Sequence, residues 1–197
     1  MKAVPVNRLV VFLSIAVAGC AIDLATKSWL FAWLGMPGSP SYWLVDEVFG
    51  FTTSLNEGAL FGMGQGRVHL FALLSVVAAV GIMFWLFWSG AAQDWLLTIA
   101  LASVTGGIFG NLYDRLGMPG LIWNYPNPPL HEVGEPVYAV RDWIHFKIDA
   151  IGFDWPLFNI ADSLLVCGAA LLVWHSFRSE VPAKTPHSTQ ATPSTPA

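Results

Sequence analysis

The sequence predicts an all-α polytopic membrane protein, a four-transmembrane-helix bundle with a small extracytoplasmic cap of β-sheet and loops. Three observations lead there. The 197 residues are 55% hydrophobic and 11% charged, with a mean hydropathy of +0.57, too apolar for an ordinary soluble domain. Four stretches, about 9–34, 68–88, 95–113 and 158–177, are long enough to cross a hydrocarbon layer of about 30 Å at about 1.5 Å per helical residue. Trp29, Trp33, Trp85, Trp88, Trp95 and Trp174 fall near the ends of those stretches, as an interfacial aromatic belt requires.

The first span contains Asp23 and Lys27, four residues apart and therefore on one helix face. The connection after it, 35–67, is rich in Gly, Pro and aromatics and carries a strand-like stretch at 49–55. Spans two and three hold no Asp, Glu, Lys or Arg and are joined only by 89–94, so they are antiparallel neighbours. The next connection, 114–157, has a second strand-like stretch at 137–148, and the two stretches predict a small sheet lying on the membrane. Its segment between Arg115 and Asp142 is rich in proline and reads as a surface excursion. Four spans put both long connections on one side and both termini on the other. Lys2, Arg8, Arg178 and Lys184 lie with the termini, against Arg67, Arg115, Arg141 and Lys147 with the connections, which is no positive-inside bias. If carboxylates in a site hold Arg115 and Arg141, the bias returns toward cytoplasmic termini, the orientation adopted. Residues 1–178 read as one membrane domain and 179–197, mostly Thr, Ser, Pro and Ala, as a disordered cytoplasmic tail.

Several function classes drop out. A net charge of −4 and a pI near 5.6 argue against nucleic acid and leave lipid or peptide as partners. Cys20 and Cys167 sit inside apolar runs and give no disulfide framework. The start of the chain up to Cys20 imitates a cleavable lipoprotein leader, but the apolar run continues past Cys20 to a full span, so Cys20 reads as a helix residue. His69 and His145 fit no zinc spacing, and no metal site is expected.

Asp162 opens the last apolar run with Asn159 three residues before it on the same helix face. A carboxylate at membrane depth is costly, so it marks a functional site with a partner elsewhere. Exits of odd spans and starts of even spans share one membrane face, and there the polar residues collect. They are Asp23 and Lys27, Asn56, then Asn111, Asp114 and Arg115, then Asp142, and finally Asn159 and Asp162. Singly, each has a plain structural reading: Asp23 with Lys27 as a helix ion pair, Arg115 reaching for headgroups, Asn159 as a helix cap, Gly106, Gly107 and Gly110 as close-packing positions. Together they suggest more. Two carboxylates at a low-dielectric boundary do not ionise together easily, so one keeps its proton, and the pair becomes an acid and a base suited to peptide hydrolysis by an aspartic mechanism. The alternative, a small transporter or channel, requires charges spread through the membrane depth.

Five blocks carry a resemblance: DLATK at 23–27, NEGALFG at 56–62, GGIFGNLYDR at 106–115, VRDW at 140–143 and FNIAD at 158–162. In this order, placed against four spans, they resemble the signal peptidase II family, the bacterial lipoprotein signal peptidases. The resemblance covers nearly everything but the tail, and one departure is Trp143, where the family usually has Phe. It implies that Asp142 and Asp162 are the catalytic pair, supported by Asp23, Lys27, Asn56, Asn111, Asp114, Arg115 and Asn159. It implies an aspartic endopeptidase, without cofactor or metal, that cuts prolipoproteins before a diacylglyceryl-bearing cysteine. The place it implies is the bacterial cytoplasmic membrane, with the site near the outer face.

Overall fold

The computed structural model describes residues 4–58 and 63–179. The tail from Glu180 onward and residues 59–62 of the NEGALFG block lie outside the described residues.

Four helices carry the fold: α1 (Val6–Leu34), α2 (Val68–Met83, prolonged by a π-helical turn at Phe84–Trp88), α3 (Trp95–Arg115) and α4 (Ile160–Ser179). All four are long and apolar enough to cross a membrane once the π-helical turn is counted with α2. The expected spans are matched in order, with shifted ends. α1 begins at Val6, behind Pro5, and α3 runs on to Arg115, while α4 starts only at Ile160. The starts of α3 and α4 have local causes. At α3 the Asp94 side chain caps the helix, its Oδ1 accepting from the Leu97 N–H at 3.0 Å. At α4 the Asn159 Oδ1 accepts from the Asp162 N–H at 2.9 Å while an Asp162 oxygen accepts from the Asn159 N–H at 3.2 Å, a reciprocal capping box.

α3 is the centre of the bundle, packed on α1, α2 and α4 and far more buried than the other three. Its glycines allow that. A Cβ on Gly107 would stand 2.5 Å from the Ala161 carbonyl oxygen, and one on Gly106 3.0 Å from that of Ala16.

The all-α label needs correction, because the two connections form a four-stranded antiparallel sheet in the order β1 (Tyr42–Val45), β2 (Phe49–Asn56), β3 (Val140–Ile148) and β4 (Phe153–Phe158). β2 and β3 are the two stretches expected from sequence, and β1 and β4 add one edge each. Register sets Ser54 opposite Asp142 and Asn56 opposite Val140, after an irregularity between Phe51 and Ser54. Trp143 is buried with Leu30 and Ile144 where the sheet meets α1, its ring 5.5 Å from that of Phe51. The sheet therefore seats β3 on the end of the bundle where α1 and α3 finish and α4 begins.

Candidate active site

Every candidate site residue named from sequence converges on that end. Two tiers can be distinguished. The lower is a buried network of four charges. Lys27 Nζ lies 2.7 Å from Asp23 Oδ2 and 3.1 Å from Asp114 Oδ2, and it donates to Asn111 Oδ1 at 2.9 Å. Asp23 and Lys27 are thus the helix ion pair that their spacing suggested, and also part of the site. Asp114 in turn accepts from Arg141, from the guanidinium at 2.9 Å and from the backbone N–H at 3.0 Å. Asp23 Oδ1 accepts from the Ala161 N–H at 2.8 Å, tying α1 to the first turn of α4. Two carboxylates and two cations leave no net charge. Buried ions are tolerated on that condition, with hydrogen bonds completing each group.

The upper tier holds Asp142 and Asp162, bridged by two asparagines. Asn159 Nδ2 donates to Asp142 Oδ1 at 2.6 Å and to Asn111 Oδ1 at 3.2 Å, and Asn111 Nδ2 donates to Asp162 Oδ1 at 2.8 Å. Asn56 hydrogen-bonds Asp142 from the end of β2. The two carboxyl groups differ in setting. Asp142 is buried, whereas Asp162 is half-buried and lines a cleft of about 370 Å³. Burial, and after it the Asp162 charge, pushes the Asp142 carboxyl up to about 8. Near neutral pH it therefore keeps its proton.

The cleft has a polar floor of Asn56, Asn111, Arg115 and Asp162, and apolar walls from Trp155–Phe158 and Val166. Arg115 turns into it and donates to the Gly58 carbonyl at 3.2 Å, while the Gly58 N–H donates to Asn56 Oδ1 at 2.9 Å. An extended chain fits such a floor, because amides and a guanidinium offer the donors and acceptors a peptide backbone needs. Charges gather at one end of the bundle, unlike the graded path a channel requires. Among the described residues no group of three or more His, Cys, Asp or Glu side chains is arranged to hold a metal. From sequence Arg141 was only a cation that carboxylates in a site would hold, and Ser28 carried no signal. Arg141 neutralises Asp114 and donates to Ser28 Oγ at 3.3 Å.

A bundle of apolar helices carrying a carboxyl pair, one member protonated and the other in a cleft, is an arrangement consistent with a membrane aspartic peptidase. Comparison with known proteins narrows this. The family model described as signal peptidase (SPase) II matches residues 15–178, and the chain belongs to that family. It is 46% identical over 176 residues to a lipoprotein signal peptidase of Rhodopirellula baltica, covering 89% of this chain and 75% of that one. It is 32% identical over 177 residues to one from Geobacillus thermodenitrificans, covering 90% and 96%. A solved bacterial membrane enzyme shares the fold with a TM-score of 0.69 at 23% identity, covering 88% of this chain and 92% of that one.

Proposed function

We propose that Asp142 and Asp162 are the catalytic dyad of this peptidase, which removes signal peptides from diacylglyceryl-modified prolipoproteins by cutting just before the lipidated cysteine. The observation that carries the reading is the asparagine bridge, which holds two carboxyl groups in one hydrogen-bonded unit while their surroundings differ. Asp162, facing the cleft, takes a proton from water, whose oxygen adds to the scissile carbonyl. Asp142 gives its proton to the departing amine as the C–N bond breaks. Asn111 and Arg115 hold the peptide backbone, and Asn56 orients the dyad through Asp142. The opening between α4 and the Trp155–Phe158 wall suits a substrate whose signal helix and acyl chains both dissolve in the bilayer. The sheet and cleft face the outside of the bacterial cytoplasmic membrane, both termini face the cytoplasm, and membrane lipids surround the bundle.

The test incubates the detergent-solubilised protein with a diacylglyceryl-modified prolipoprotein. Cleavage before the lipidated cysteine is expected. It should fall by about 10²–10⁴-fold in Asp142→Asn and in Asp162→Asn, the range for loss of a positioned acid or base. Substantial turnover in either variant refutes the dyad, and loss on chelation in the wild type refutes the metal-free mechanism.

A further inference from the structure

The excursion between α3 and β3 spans no distance. Asp114 accepts from the Arg141 backbone N–H at 3.0 Å, so the chain leaves α3 and comes back to nearly the same place. A short turn would have served. Instead residues 116–139 build a small core, closed by the Trp123 N–H on the Glu135 carbonyl and the Val137 N–H on that of Leu121, both at 2.9 Å. Trp123, Val137 and Ala139 are buried in it.

What this core grips is the end of β2. Side chains alternate across a strand, so when Asn56 faces Asp142 its neighbours Leu55 and Glu57 face the other way. Leu55 packs against the Trp123 cluster. Glu57 Oε2 lies 3.8 Å from His131 Nε2, and His131 is itself buried and stacked flat on Trp123, ring centroids 3.5 Å apart at an interplanar angle of 5°. From the opposite side Arg115 holds the Gly58 carbonyl at 3.2 Å. The turn at 56–58 is thus fixed from the cleft by Arg115 and from behind by the excursion.

We infer that the excursion is a positioning clamp: Trp123 and His131, acting through Leu55 and Glu57, hold the Asn56 amide against Asp142. The inference rests on the peptidase reading. Trp123 and His131 line neither the cleft nor the dyad, so they act on the chemical step through Asn56 and not on substrate binding.

The experiment measures kcat and KM of the full chain in detergent on a diacylglyceryl-modified prolipoprotein, with the thermal midpoint of each variant. The variants are His131→Ala, His131→Gln and Trp123→Ala, each made alone and with Asn56→Ala. In the otherwise intact protein His131→Ala and Trp123→Ala lower kcat about tenfold, the consequence of about 1.4 kcal/mol of lost positioning, and leave KM within about twofold. His131→Gln, whose amide still reaches Glu57, recovers most of the rate. With Asn56→Ala already present, neither alanine change costs anything further. Unchanged kcat in both alanine variants overturns the inference. So does an equal loss with and without Asn56, which marks general destabilisation. A wild-type protein that cleaves nothing overturns the peptidase reading instead.

Discussion

Asp142→Asn should make the protein more stable at pH 8 and no more stable at pH 4. The carboxyl has an ordinary value of 3.8 in the unfolded chain and about 8 in the folded one, raised first by burial and then by the Asp162 charge. Between those values the folded state holds a proton that the unfolded state has released, so stability falls as pH rises. Each unit is worth about 1.4 kcal/mol, and the whole interval therefore amounts to a loss of about 6 kcal/mol between pH 4 and pH 8. Asparagine is nearly isosteric with the protonated acid. It retains an oxygen to accept from Asn159 Nδ2, which now bonds Asp142 Oδ1 at 2.6 Å, and it never ionises. Realising half of that interval, at about 2–4 °C per kcal/mol for a chain of this size, gives a gain of about 6–12 °C at pH 8. The assay is thermal unfolding of wild type and variant in one detergent across pH 4–8, reading the difference between the two midpoints. A difference that stays constant with pH, or a variant that melts lower at pH 8, would refute a buried protonated Asp142.

The same proton sets the rate profile: kcat for cleavage should fall as pH rises through about 8, where Asp142 ceases to be an acid, and a rate still rising beyond pH 9 would assign the acid elsewhere. Lys27→Met leaves Asp23 and Asp114 buried together without their shared cation, and should cost about 3–5 kcal/mol, read as a large drop in thermal midpoint. Adding Asp23→Asn to Lys27→Met should return part of that loss by restoring neutrality. Gly107→Val drives a side chain into the Ala161 carbonyl and Leu165, pushing α4 off α3. It should lower both stability by about 1–3 kcal/mol and activity, because Asp162 and Asn159 move with α4, whereas Gly81→Ala in α2, with nothing near its Cβ, should leave the active site alone.

The sequence made the helices legible because a membrane span must be apolar over its whole length, and the hydropathy alone marks Val68–Trp88 in full and Trp95–Arg115 up to its polar last turn. It also placed the polar residues at one end, since span counting fixes which termini share a face. The sheet edges were hidden. β4 carries Pro156 and Asp154, composition that argues against a strand, and it is tolerated because β4 lies at the edge of the sheet. β1 has only four residues, Tyr42–Val45, too short for alternation to declare itself. Single residues were legible only as alternatives. Asn159 was either a cap or a site residue, and it is both: Oδ1 starts α4 while Nδ2 reaches Asp142 and Asn111. Arg141 could not be separated from a loop cation, because its partner Asp114 lies far away in sequence and meets it only when β3 docks on α3.

Asparagine is the side chain this arrangement requires. A bridge between two carboxyl groups must donate to both, which excludes another carboxylate, and it must add no charge to a buried site already balanced by Lys27 and Arg141, which excludes lysine and arginine. A hydroxyl has one proton and serves one partner. An amide has two donors and an acceptor, so Asn111 can accept from Lys27 and Asn159 through one oxygen and still donate to Asp162. The lower tier therefore orients the upper one through uncharged links, and Lys27 influences the dyad without touching it. Lys27→Met should for this reason impair cleavage even where the fold is rescued by Asp23→Asn: Asn111 loses the donor that fixes its oxygen and is free to turn its amide away from Asp162. Full activity in that rescued double variant would show that neutrality alone is what Lys27 supplies.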